Sequence, residues 1–416
     1  MSKYKLLLLL PNGIFFWALL LIYYLPSLYT ITLIDELNLN PSVKNSYVIA
    51  NTIFIVLVYL SLIFFSNLKN KPWLFKLYKK KYESNNSIIN LYLRTKYTKF
   101  KSYLSIFNLT VIFLFLFLGL PKLILLGSYI SADEFRFIGY DDRSYFYTVI
   151  LELLRRVAYP CILLFLFMFL NINNIVKNSI YKYTLFSFFL ICLIGLDRSP
   201  FVIFFGLLIY IFIFLKQNKF YIKLLIFLSL LSLLSFSIAY VSFLQYNNLD
   251  FDYKEVYDLS KKIILNRIIL DPAYMSYKYS FEVFQNFQDF LFLKYSRLTS
   301  LITGTYVGST TDISFNIAPV SVIGDIWRNF GYSGIFIFPI ILAFLINKVN
   351  IIVLSTSLYI SQIIIFLFII YTFYLIIGGL FSYGPNAIYL IMLLLPKIEI
   401  FFKKQNLKKN HYEKII

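Results

Sequence analysis

Ten apolar runs, near residues 12–29, 46–66, 104–126, 150–170, 183–197, 200–215, 221–244, 333–347, 355–377 and 386–402, decide what this chain can fold into. Most approach the roughly 20 residues that a helix needs to cross about 30 Å of hydrocarbon. Inside lipid, a backbone satisfies its own N–H and C=O groups only as a helix or a closed barrel. The short alternating strands of a barrel are not found in this sequence. The expectation is therefore an all-α polytopic membrane protein, residues 1–416 forming a single domain of about ten transmembrane helices. Composition agrees: 60% of residues are hydrophobic and only 14% charged, a proportion that a soluble fold of 416 residues has no way to bury.

Basic residues then orient the chain, because Lys and Arg near helix ends mark the cytoplasmic side. With the amino terminus inside, the cytoplasmic segments hold 24 of the 39 Lys and Arg but only three acids, Glu83, Glu399 and Glu413. The opposite side holds the other 15 basic and 17 acidic residues. This asymmetry predicts both termini in the cytoplasm, a basic cytoplasmic loop at 67–103 and one large extracytoplasmic loop at 245–332. The net charge of +19 is thus a property of the membrane faces and implies no nucleic-acid partner; the Lys-rich loop at 67–103 suits topology and contact with anionic lipid headgroups. The start, Met-Ser-Lys-Tyr-Lys followed by leucines, has the basic and apolar parts of a secretory signal without a small-residue cleavage pattern, and reads as a retained first helix.

The loop at 245–332 is rich in Asp, Asn, Tyr, Ser, Thr and Gly. Residues 254–270 show helical periodicity, with Val256, Leu259, Ile263 and Leu270 on one face and Glu255, Asp258 and Lys262 opposite, as in a helix lying on a membrane surface. A second helix is expected after Asp271-Pro272. Residues 299–324, with Gly304, Gly308, Pro319 and Gly324, read as irregular structure.

Metal and histidine chemistry find no support. His411, the only histidine, lies in the Lys-rich carboxyl tail, and Cys161 and Cys192 sit inside apolar runs as small hydrophobic side chains. No cofactor is expected and no nucleotide-binding Gly-rich pattern occurs. What remains is a set of cations and carboxylates on the outer side. Arg198 sits in the tight turn Gly195-Leu-Asp-Arg-Ser-Pro200 between two apolar runs, where a cation is costly unless paired, solvated or used; pairing with Asp197 or snorkelling to lipid phosphates would account for it structurally. Lys261, Lys262, Arg267, Arg297 and Arg328 share the large loop with many acids, so ordinary surface charge is the alternative for each. Arginine differs from lysine in that its planar fork grips two oxyanion oxygens at once, as a metal-free diphosphate site requires. Asp312, in Gly308-Ser-Thr-Thr-Asp-Ile-Ser-Phe-Asn316, and Asp325, in Gly324-Asp-Ile-Trp-Arg-Asn329, are the carboxylates placed for a general base, with an Asx turn or helix cap as the structural alternative. Glu152, Arg155 and Arg156 lie at a span end, where mutual neutralisation explains them.

The many spans, the Gly-Leu-Asp-Arg-Ser-Pro turn, the long loop and the run Pro319-Val-Ser-Val-Ile-Gly-Asp-Ile-Trp-Arg-Asn-Phe-Gly-Tyr-Ser-Gly334 leading into a span resemble the Wzy-type oligosaccharide repeat-unit polymerases. The resemblance spans most of the chain. It implies a GT-C-like, metal-independent glycosyltransferase of the bacterial plasma membrane, with its active site facing outward. Such an enzyme transfers a growing O-antigen or capsular glycan from undecaprenyl diphosphate to a new lipid-linked unit. Its partners would be undecaprenyl-diphosphate-linked oligosaccharides, membrane lipid and, optionally, a chain-length regulator. Under that resemblance Arg198, Arg267, Arg297 and Arg328, with Lys261 and Lys262, bind diphosphate or sugar, Asp312 or Asp325 serves as base, and Tyr274, Tyr277, Tyr306 and Trp327 stack on sugar faces. Two rival functions are an O-antigen ligase, which is expected to carry an extracytoplasmic histidine, and a lipid-linked oligosaccharide flippase, which would not need so large an outer loop.

Overall fold

A computed structural model of the chain describes residues 10–36, 43–67, 97–119, 150–172, 179–193, 198–211, 271–285, 321–380 and 385–397, apart from 152, 282 and 284. Among these the chain is all-α, with no strand. Five helices are long and apolar enough to cross a membrane: Pro11–Thr30, Lys44–Ser66, Tyr97–Phe117, Val322–Ser355 and Leu358–Ile376. The apolar run at 221–244, residues 68–96 of the basic loop at 67–103 and the amphipathic segment 254–270 lie outside the described residues.

The chain divides into two compact units, Met1–Asn85 with Ile264–Gln405, and Asn86–Ile263 with Asn406–Ile416. In the first unit, helix α1 runs from Pro11–Ala18 through a π-helical turn at Leu19–Tyr24 into Leu25–Glu36, and α2 is Lys44–Asn67. The π turn has a local cause. Pro26 offers no N–H to the carbonyl four residues earlier and its ring crowds that carbonyl, which a wider turn accommodates. Ser27 Oγ donates to the Tyr24 carbonyl at 2.7 Å and Thr30 Oγ1 to the Pro26 carbonyl at 3.0 Å, so side chains satisfy acceptors around the proline. Helices α1 and α2 are antiparallel: Phe16 meets Tyr59 with ring centroids 5.1 Å apart, and the Tyr23 hydroxyl donates to Asn51 Oδ1 at 3.1 Å.

In the second unit the helices of residues 97–119 (α3), Leu154–Ala158 continuing into Tyr159–Ile172 (α4), Ser179–Leu193 (α5) and Arg198–Tyr210 (α6) follow. The π turn at Leu154–Ala158 again precedes a proline, Pro160, at the same spacing logic. Asn108 Nδ2 donates to Thr184 Oγ1 at 2.8 Å, Tyr159 donates to Asn108 Oδ1 at 3.3 Å, and the Tyr159 ring stacks on Phe188, joining α3, α4 and α5 through buried polar contacts.

The first unit resumes with α7, Asp271–Ser276 extended by a π turn at Tyr277–Phe281, α8 at Val322–Ser355, α9 at Leu358–Gly378 and α10 at Pro385–Lys397. The start of α7 at Asp271-Pro272 is where the sequence places it. Helix α8 differs from expectation: it begins at Val322, so Gly324 through Asn329 are helical, where the sequence reads irregular chain up to 324 and a span only from 333. Within α8 the backbone breaks at Gly331 (φ 57°, ψ −142°), a conformation that a side chain tolerates poorly. Nine residues therefore precede the break as a separate helical piece. Helices α2 and α8 run in the same direction, since Tyr47 and Trp327 flank Phe281 near their starts, while Asn347 Nδ2 donates to the Phe65 carbonyl at 3.4 Å near their ends. Helix α9 is the most enclosed of the long helices, whereas α2 and α8 each keep a face of large apolar side chains exposed, among them Leu60, Phe64, Ile337 and Ile340. Such a face is what lipid covers.

Gly331→Ala is expected to cost about 1–3 kcal/mol by forcing a Cβ into this strained conformation, read as a lowered melting temperature in detergent. Gly206→Ala, where an added Cβ meets nothing within 4 Å, is the control expected to melt no lower than wild type.

Candidate functional site

The piece of α8 before the break carries a buried polar cluster, Asp325 and Asn329, close to the buried Ser276, Ser280 and Ser321. Its entry is fixed by Ser321, whose Oγ accepts from the Gly324 amide at 3.3 Å, while the Asp325 amide donates to the Ser321 carbonyl at 2.8 Å. Ser321 is in turn held by α7: Ser276 Oγ donates to Ser321 Oγ and accepts from the Ser321 amide, both at 2.9 Å. Gly324 faces Ser276 so closely that an added Cβ would lie 2.8 Å from the Ser276 Cβ. The start of α8 is thereby locked to the end of the Asp271–Ser276 helix. Tyr47 reinforces the lock from α2, donating to the Ala273 carbonyl at 3.1 Å and meeting Tyr277 and Phe281 edge-on.

Asp325 and Arg328 stand three residues apart on this piece and pair: Arg328 Nε donates to Asp325 Oδ1 at 2.8 Å and Nη2 lies 2.6 Å from the same oxygen. The side chains are 2% and 13% exposed, respectively. Asn329 Nδ2 donates to the Asp325 carbonyl at 2.7 Å and reaches Oδ1 at 3.5 Å. On the other side of the carboxylate, the chain at the end of α9 passes so near that a Cβ on Gly379 would fall 2.7 Å from Oδ2; Gly379 also has φ +82°. A buried carboxylate of this kind is stable only with its charge answered and its lone pairs engaged.

This geometry revises two expectations. Asp325 is neither a cap nor a loop carboxylate: Ser321 caps the helix, and Asp325 lies in its first turn, engaged by Arg328. Trp327 is 3% exposed and its ring stacks on Phe281 at 4.3 Å, with Tyr332 against it edge-on, so its role is to join α7 to α8 and its face is not open to a sugar. Tyr277 is likewise fully buried. Asp325, Trp327 and Arg328 are the predicted site residues that the structure brings together. Arg198 begins α6, but its side chain lies outside the described residues, as do Lys261, Lys262, Arg267, Arg297, Tyr306 and Asp312.

Sequence reasoning passed over Asn329, Ser276 and Ser321, whose signal was weak: a Ser followed three residues later by Gly lacks the acidic partner of a capping box. It also treated Arg155 as neutralised at a span end. In the second unit Arg155 is 2% exposed within the π turn of α4, against which α5 and α6 pack. No group of three or more His, Cys, Asp or Glu among the described residues has the placement to hold a metal ion. No family model, characterised protein or solved structure matches the chain.

Arg328→Met removes the cation that pairs with the buried Asp325 carboxylate, and is expected to destabilise the protein by about 3–5 kcal/mol. The double variant Asp325→Leu/Arg328→Met removes both charges and is expected to recover most of that loss. Detergent unfolding of the four proteins of this cycle measures the coupling; additive effects of the two single changes would contradict the pairing.

Proposed function

We propose that the chain is a polymerase of lipid-linked oligosaccharide repeat units, working at the outer face of a bacterial plasma membrane. The observation that carries this reading is the buried Asp325–Arg328–Asn329 cluster on a short helical piece that leads directly into a long apolar helix. An anionic headgroup on a lipid carrier meets a protein at such a boundary, with its chain in the bilayer and its diphosphate and glycan in water. The sequence resemblance to repeat-unit polymerases supplies the reaction. In the ten-span topology, α2 and the span within α8 are the second and eighth crossings, and their common direction agrees with that numbering.

In the proposed reaction, the bond between the anomeric carbon of the growing glycan and the diphosphate oxygen of its carrier breaks. A bond forms from that carbon to a hydroxyl oxygen on the terminal sugar of the incoming unit. The hydroxyl proton passes to a carboxylate, Asp312 or Asp325, and undecaprenyl diphosphate departs with the bonding electron pair. Arg198, Arg267, Arg297 and Arg328 offset the charge that grows on the diphosphate, the largest electrostatic demand of the step. Trp327 serves this site through packing.

Deletion of the gene is expected to leave surface glycan as single repeat units on its acceptor, and Arg198→Ala or Arg297→Ala to do the same with protein levels unchanged, as read on glycan gels. Long-chain glycan of normal length in the deletion strain would contradict the polymerase reading. Loss of all surface glycan with lipid-linked units accumulating inside would indicate a flippase.

Orientation is testable by itself. In a Cys161→Ala/Cys192→Ala background, a membrane-impermeant maleimide is expected to label Ser309→Cys in intact cells and Ser84→Cys only after permeabilisation. The opposite pattern would invert the topology.

A further inference from the structure

Resting on the polymerase reading, we propose that Asp325 is a positioning residue rather than the base, and that it holds Arg328 so that the outward edge of the guanidinium takes a phosphate oxyanion of the lipid-linked diphosphate. A guanidinium carries five N–H donors. In Arg328, Nε and Nη2 converge on one oxygen, Asp325 Oδ1, at 2.8 and 2.6 Å. Nη1, and the remaining N–H of Nη2, have no partner among the described residues. The exposed part of the pair belongs to the cation: the Arg328 side chain keeps 13% of its surface and that of Asp325 only 2%.

The carboxylate is closed on every described side. Oδ1 receives Arg328 and lies 3.5 Å from Asn329 Nδ2, and Oδ2 faces the chain at Gly379. What surface the pair keeps is almost all on the guanidinium, 13% of the side chain against 2% for the carboxylate, so Asp325 is badly placed to take a proton from a sugar hydroxyl. What the carboxylate does supply is orientation. A long arginine side chain loses its rotamer freedom when it is anchored at one edge, and the other edge is then presented as a fixed pair of donors for two oxyanion oxygens. The base role of the proposed reaction passes to Asp312.

The test uses the full-length protein in nanodiscs with farnesyl diphosphate as the probe. In phosphatidylcholine nanodiscs, farnesyl diphosphate is expected to slow phenylglyoxal modification of Arg328 several-fold, as read by peptide mass spectrometry on the wild-type protein. A parallel arm in phosphatidylglycerol without the probe separates the two phosphate sources. Full protection by the anionic lipid alone, with no further effect of farnesyl diphosphate, would overturn the substrate assignment, and so would absence of protection in phosphatidylcholine. Asp325→Asn is expected to weaken farnesyl diphosphate binding roughly tenfold to a hundredfold, the range of a lost charge-assisted hydrogen bond, while leaving the acid limb of the pH profile of elongation in place. Unchanged affinity with loss of that limb would make Asp325 the base. Should Asp325→Asn fail to fold, the smaller Asp325→Ser takes its place in the binding and pH measurements, and the protection experiment on wild-type protein decides the phosphate site. Binding is read here without polymerisation. A protein that binds the probe through Arg328 yet elongates nothing would therefore contradict the polymerase reading and leave this site standing.

Discussion

A carboxylate withdrawn from water among apolar helices has to be answered by a fixed cation, and in this chain that requirement organises one end of the first unit. Asp325 receives Arg328 and Asn329 from its own helix and faces the close passage of Gly379 from the end of α9. Burial on this scale needs the short helical piece to be held firmly. The Ser276–Ser321 pair and the Phe281–Trp327 stack do that from α7, and Tyr47 holds α7 from α2. The break at Gly331 lets the polar piece leave the line of the long apolar helix that follows it, so one continuous stretch of chain serves both as a lipid-facing span and as the carrier of a charged pair.

Much of the scaffold was legible in the sequence, because the physics that fixes it is local. Length and apolarity alone place α1, α2, α3, α8 and α9 as helices fit to cross a membrane, and Asp271-Pro272 marks the start of α7. The π turns before Pro26 and Pro160 are also local consequences, once a proline is accepted inside a helix. The start of α8 was not legible. Residues 322–330 mix Gly, Asp, Arg and Asn with apolar positions, and by hydropathy they resemble loop; they are helical because Ser321 caps them, Ser276 of α7 holds Ser321, and the chain at Gly379 closes over Asp325, and these last two partners lie far away in sequence.

The site shows the same division. The spacing of Asp325 and Arg328 is an i, i+3 spacing, at which opposite charges meet on a helix, but that inference is available only after the segment is known to be helical. Read as loop residues, the two were assigned opposing tasks, one as base and one as anion ligand. Read as helix, they are one unit. Trp327 was singled out for its chemistry, since an indole suits a sugar face, whereas its place in the structure is decided by the neighbour that covers it, Phe281, 46 residues earlier in the chain. No local pattern reports such a partner.

In the proposed function, the end of the first unit that carries Asp325 and Arg328 holds a lipid-borne diphosphate and its glycan while one unit is joined to another. The most direct measurement is reconstitution of the purified full-length protein in liposomes with a defined lipid-linked repeat unit, followed by separation of the lipid-linked products by size. A polymerase of lipid-linked units is expected to give a ladder of oligomers without added metal, with one carrier diphosphate released for every unit joined. Persistence of the single unit alone, in liposomes where the protein is folded and the unit is present on its outer side, would contradict it.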